Sequence, residues 1–160
     1  MTGAAGVIRA LAGRRQTLAT AESLTGGLLA ATIVDVPGAS AVFRGGLVAY
    51  ATDLKRSLAG VDASLLASRG PVDPEVALAL ADGARTRCGA DWGLSTTGVA
   101  GPDPQQGLPV GTVHVAAVGP EGRREVRSIA VSGDRTAVRR GAVSEALALL
   151  NQVVTGGAPG

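Results

Sequence analysis

Short strand-like runs alternate with helical patterns along most of this chain, and that alternation admits few folds. Val7, Ile8 and Leu11 have helical spacing, with Gly13 as the stop. Residues 17–21 read as a strand. Leu24, Leu28, Ala31, Ile33 and Val34 then mark one side of a helix that breaks at Asp35-Val36-Pro37-Gly38. Residues 42–51 read as a second strand, and the Gly45-Gly46 pair inside it signals a bulge or a close approach. Thr52 or Asp53 caps a short helix carrying Lys55, and residues 61–70 form another short helix and turn. Asp73-Pro74-Glu75 starts a helix by rule, with Val76, Leu80 and Ala84 facing inward and an end near Cys88. Residues 91–100 give a third strand, and residues 104–109 a mobile loop. Residues 111–118 and 124–131 alternate on either side of Gly119-Pro120-Glu121-Gly122 and pair as a hairpin. Asp134 caps a last long helix, with Val138, Ala142, Ala146 and Leu149 on one face. The expected class is α/β: a three-layer α/β/α sandwich with a mixed β-sheet. It forms a single domain over residues 1–154, followed by a flexible tail at 155–160.

Composition narrows the chemistry. Hydrophobic residues make up 46% of the 160, but aromatics only 2%, so the core must be built from Ala, Val and Leu. A base-stacking surface needs aromatic faces, which argues against a nucleic-acid partner. Cys88 is the only cysteine and His114 the only histidine, so neither a disulfide framework nor a His/Cys metal site is expected. No apolar run approaches membrane-spanning length and the start lacks a secretory pattern, so a cytoplasmic protein without a membrane partner is expected. Lys55 is the only lysine beside many arginines. It is either an ordinary surface residue or one kept for its chemistry.

Candidate chemistry centres on Thr20-Ala21-Glu22-Ser23-Leu24-Thr25-Gly26-Gly27, a strand, a sharp turn and a helix start. A hydroxyl here can cap the helix, bind an anion or attack a substrate, and the two glycines let backbone approach a ligand. A nucleophilic Ser23 needs a base. Nothing places His114 near it, so a lysine with a lowered pKa is the remaining route, and Lys55 is the one candidate. Arg135 and Arg139 share a face at the start of the last helix, where positive charge opposes the dipole. An anionic ligand would reverse that penalty; a solvated pair answered by Asp134 and Glu125 is the other reading. Gly98 and Gly101 flank a strand end, where open α/β sheets bind ligands, but the dinucleotide fingerprint is absent.

Five stretches together resemble the CinA C-terminal domain family, whose stand-alone members are nicotinamide-nucleotide amidohydrolases. They are residues 20–27, Gly45-Gly46-Leu47-Val48-Ala49-Tyr50 with Lys55, Ser95-Thr96-Thr97-Gly98-Val99-Ala100-Gly101-Pro102-Asp103, Pro109-Val110-Gly111-Thr112-Val113, and Ser132-Gly133-Asp134-Arg135 with Arg139. The likeness spans about residues 7–150, in order and at family spacing. Leu24 departs from it, since many members have Cys there, and the N-terminal domain of full-length CinA proteins is not represented. The resemblance implies metal-free and cofactor-free deamidation of nicotinamide mononucleotide to nicotinate mononucleotide and ammonia, a step of pyridine nucleotide salvage. It implies Ser23 as nucleophile, Lys55 as its base, and Tyr50 positioning the pair or the pyridine ring. Thr97 and the backbone at Gly98 would take the reacting amide or its oxyanion. Thr25, Gly26, Gly27, Gly45 and Gly46 would lie against substrate, and Arg139 with Arg135 would hold phosphate. A homo-oligomer, a dimer, is expected. The alternative is a catalytically silent nucleotide-binding or partner-binding module linked to competence or DNA repair.

Overall fold

The alternation resolves into one mixed five-stranded sheet with helices on both faces. A computed structural model describes residues 3–156. In chain order the elements are α1 (Gly3–Arg14), β1 (Leu18–Glu22), α2 (Leu28–Val34), β2 (Phe43–Val48), α3 (Thr52–Ser57), α4 (Ala63–Arg69), α5 (Pro74–Cys88), β3 (Trp92–Gly98), β4 (Thr112–Val118), β5 (Arg124–Ala130) and α6 (Arg135–Thr155). The strand order is β2-β1-β3-β4-β5. β1 runs parallel to β2 and β3, while β4 and β5 add an antiparallel hairpin. The predicted three-layer α/β/α sandwich with a mixed sheet is the observed fold.

Strand burial follows position. β1 and β3 are buried at every residue, as central strands covered on both faces must be. β2, at an edge, alternates between half-buried and exposed. On one face Leu18, Leu94, Val113 and Val115 pack against α1, α2 and α6 through Leu11, Leu29, Ile33, Ala142 and Leu150. On the other, Ala19 and Ala21 meet Val76, Leu80 and Ala84 of α5. Trp92 is the one fully buried aromatic side chain among the described residues, and its Nε1 donates to Gln16 Oε1 at 2.9 Å. Ala, Val and Leu, with Ile8 and Ile33, supply most of the rest, as the composition requires.

Several ends differ from the sequence reading. α1 passes through Gly13 and stops at Arg15, which takes a left-handed φ of 55°. α3 is capped by neither Thr52 nor Asp53; its N-cap is Ala51, without a side-chain bond. α6 runs through Thr155, one residue into the expected tail, and residues 157–160 lie outside the described residues. The 104–109 loop carries a two-residue bridge between Gln105 and Leu108. Asp73 and Asp134 cap α5 and α6 as predicted. Among the described residues no helix is long and apolar enough to cross a membrane.

The crossover from β1 to β2 places α2 on one face, and the longer path from β2 to β3 places α5 on the other. The chain thus changes direction beside β1. Parallel strands end together, so the carboxyl ends of β1, β2 and β3 open on the same rim. Ligands of open α/β sheets bind at such a rim.

Candidate active site

A cavity of about 140 Å³ opens on this rim. Each parallel strand contributes the residues just beyond its end: Ser23 and Leu24 after β1, Tyr50 after β2, and Gly98 to Gly101 around the end of β3. Thr52 and Lys55 of α3, Pro71, Val72, Asp103, Gln105 and Arg135 complete the wall.

Ser23 and Lys55, 32 residues apart in sequence, meet here. Lys55 Nζ lies 2.9 Å from Ser23 Oγ. It also donates to the carbonyls of Ala49, at 2.8 Å, and Tyr50, at 3.4 Å. Lys55 is only 1% exposed, and no acidic side chain pairs with its ammonium among the described residues. Burial therefore pulls its pKa down from 10.5 to about 8. From α3 the side chain runs back to the end of β2, where the Ala49 and Tyr50 carbonyls lie.

Ser23 does not cap α2. That helix begins only at Leu28, and its N-cap, Gly27, makes no side-chain cap bond. The capping group is Glu22, a buried residue the sequence reading passed over. Its Oε1 accepts from Thr25 Oγ1 at 2.6 Å, Gly27 N at 3.2 Å and Leu29 N at 2.8 Å, and Oε2 accepts from Ala30 N at 3.0 Å. The serine hydroxyl is left for Lys55. The same arrangement occupies the α2 N-terminus with a side-chain carboxylate, so it is not an anion site. Gly26 and Gly27 sit in left-handed conformations, φ 56° and 105°, which the turn requires and which disfavour any residue with a Cβ.

Other predicted positions fall outside the cavity wall. Thr25 is wholly buried between Glu22 and Thr96. Thr97 is also wholly buried, and its hydroxyl donates to the Pro71 carbonyl at 2.6 Å; it anchors a wall segment and does not face the cavity. Gly45 faces Cys88, and Gly46 lies against Thr20; neither lines the cavity. Gly98 does line it.

The two arginines separate. Arg139 turns away from the cavity onto the turn after Ser23: Nε donates to the Leu24 carbonyl at 3.0 Å and Nη2 to the Thr25 carbonyl at 2.8 Å. Arg135 lines the cavity mouth, where Nη1 donates to the Gly101 carbonyl and Nη2 to the Tyr50 hydroxyl at 2.9 Å. Tyr50 itself is 57% exposed. His114 belongs to another neighbourhood, on β4 with its Nδ1 2.8 Å from Ser128 Oγ, so it does not pair with Ser23.

The sequence falls where this geometry does. The CinA C-terminal domain profile matches residues 2–154. The chain belongs to the CinA C-terminal domain family. A CinA-like protein of Frankia casuarinae is 53% identical over 150 residues, covering 94% of this chain and 34% of that protein. A putative competence-damage inducible protein of a Geobacillus species is 47% identical over 132 residues, covering 82% and 32%. The chain spans about a third of the length of these curated relatives. Among solved structures, a CinA superfamily protein from Klebsiella pneumoniae superposes with a TM-score of 0.91 at 34% identity, covering 96% of each chain. One from Escherichia coli gives 0.90 at 30% identity, covering 94% of this chain and 87% of that one.

Proposed function

We propose that this CinA domain is an amidohydrolase that deamidates nicotinamide mononucleotide through Ser23 and Lys55. The observation that carries the reading is the buried Lys55 amine, with its pKa near 8, held 2.9 Å from Ser23 Oγ inside a cavity. A neutral amine has two protons and one lone pair. With the protons on the Ala49 and Tyr50 carbonyls, the lone pair faces the Ser23 hydroxyl.

Nζ then takes the Ser23 proton as Oγ attacks the carboxamide carbon. The carbonyl π-bond opens to an oxyanion. Among the described residues the Leu24 amide donates no hydrogen bond. Peptide planarity sets it opposite the Ser23 carbonyl, which Gly26 N holds at 3.0 Å, and it serves as an oxyanion donor. Collapse of the tetrahedral species breaks the C–N bond, and Nζ returns the proton to the departing nitrogen, giving ammonia and an acyl ester on Ser23. Water, deprotonated by Nζ, attacks that ester; the C–Oγ bond breaks as Nζ returns the proton to Ser23 Oγ, and the acid leaves as a carboxylate with its proton passed to solvent.

The cavity is smaller than the roughly 300–1,000 Å³ of sites that enclose a whole small molecule. It suits the pyridine carboxamide alone. Ribose and phosphate then lie at the mouth, where Tyr50 offers a ring and Arg135 a guanidinium. The test is ammonia release from nicotinamide mononucleotide by purified protein, with Ser23→Ala as control. No ammonia above that control, with nucleotide binding retained, would support the silent binding module instead.

A further inference from the structure

The turn carrying Ser23 is held from two sides by groups that the proposed chemistry does not use. On one side is the Glu22 carboxylate, 1% exposed, with both oxygens engaged. Because the Thr25 hydroxyl donates to Glu22, its oxygen must accept from Thr96, 2.8 Å away, which ties the turn to β3. On the other side is Arg139, whose guanidinium spans two successive carbonyls of the turn. Between them the Ser23 backbone is also hydrogen-bonded: its N–H donates to the Thr96 carbonyl at 3.1 Å, and its carbonyl accepts from Gly26 N. Donors of the turn point to an anion and acceptors to a cation. Neither charged group lines the cavity.

We propose that Glu22 and Arg139 act as one two-sided clamp, positioning residues that hold the 23–27 turn where Ser23 Oγ meets Lys55 Nζ. The inference rests on the reading of Ser23 as nucleophile, but its geometry can be tested apart from turnover. Both charges are needed. Loss of Arg139 leaves the Leu24 and Thr25 carbonyls without that donor and frees their peptide units to rotate. Replacing Glu22 by Gln sets an amide NH₂ against the Ala30 N–H, two donors facing one another. Displacement of a reacting group by about 1 Å costs on the order of 100-fold in rate. Ser23 of this turn sets its hydroxyl on Lys55 Nζ, so loosening the turn admits water to the amine.

Two readouts test the clamp in the full chain, using Arg139→Ala and Glu22→Gln. In the first, kcat on nicotinamide mononucleotide falls by about 100-fold with KM little changed. A raised KM with unchanged kcat for Arg139→Ala would place that residue on the substrate and overturn the proposal. The second readout uses the single lysine of the chain. Protein labelled with ¹³C-lysine gives one Cε resonance, whose titration midpoint lies near 8 in the wild type. In the folded variants it moves toward the value of a free lysine, about 10.4. A purely structural role would lower the unfolding temperature and leave kcat and the Lys55 midpoint in place, which refutes the clamp. If the wild type releases no ammonia, the proposed function falls while the lysine titration still decides the clamp. If Glu22→Gln does not fold, Arg139→Ala carries both readouts, since Arg139 is only half-buried.

Discussion

At the scale of single residues, the Ser23–Lys55 contact makes sharp demands. Ser23 has no capping role to lose, so Ser23→Ala should abolish ammonia release while the unfolding temperature stays within a few degrees of the wild type. Lys55→Met should be as damaging, and the double variant no worse, because groups that act as a unit are non-additive. Additive losses in log kcat would mean that Lys55 works through binding or structure. In the proposed reaction the neutral amine is the base, so kcat should rise with pH through about 8 and level off above it. Arg135 makes a separate demand. It stands at the mouth, where a phosphate would meet it, and a charged hydrogen-bonded contact contributes about 1.5–3 kcal/mol. Arg135→Ala should therefore lose roughly tenfold to more than a hundredfold in kcat/KM on the mononucleotide, and clearly less on nicotinamide riboside. Equal proportional losses on the two substrates would assign Arg135 to its Gly101 and Tyr50 contacts alone. The sequence singled out both arginines but not their division of labour. Arg139 and Leu24 are 115 positions apart, and no local spacing shows which carbonyl a long side chain will find.

At the scale of elements, what the sequence displayed was periodicity, and what it concealed was reach. α5 is the clearest case. Asp73, Pro74 and a 3.6-residue apolar pattern announce it, and Val76, Leu80 and Ala84 are all fully buried. The start of α2 shows the opposite. Ser23 sits where a cap belongs by rule, yet Gly26 and Gly27 delay the helix and a carboxylate comes back from the strand before it. Glu22 contacts amides seven and eight positions ahead, beyond any capping-box spacing. The Gly45-Gly46 pair was legible as a close approach, and the structure says to what. A Cβ on Gly46 would stand 2.4 Å from Thr20 Oγ1 of the neighbouring strand. That oxygen is the one buried side-chain polar atom without a hydrogen bond among the described residues. Gly46→Ala should thus destabilise the fold by about 1–3 kcal/mol through overpacking, measured by urea unfolding. Thr20→Ala removes the obstructing atom with no hydrogen bond lost, so Thr20→Ala with Gly46→Ala should regain much of that deficit. Simple addition of the two single effects would show that the contact is not what excludes a side chain at Gly46.

At the scale of the whole molecule, three parallel strands end on one rim, and the fold buries a lysine there at the expense of its own stability. Its partners are a hydroxyl and two carbonyls, and none carries a negative charge to offset the desolvation. Below pH 8 Lys55 is protonated in both the folded and the unfolded chain, and folding bears the full penalty of burying an ammonium. Between about 8 and 10.5 the folded state is neutral while the unfolded state still holds its proton. The unfolded state binds more protons in that window, so stability rises with pH across it. Above 10.5 both states are neutral and the penalty is gone. The rise between the two limits is on the order of 3 kcal/mol. Lys55→Met lacks the titrating group, so its unfolding free energy should miss this rise, while every other group titrates in both proteins. The difference between wild type and Lys55→Met, from urea unfolding at pH values from 7 to 10.5, isolates the term. Curves that stay parallel would mean that Lys55 titrates as an ordinary lysine, and the base assigned to Ser23 would be lost with it.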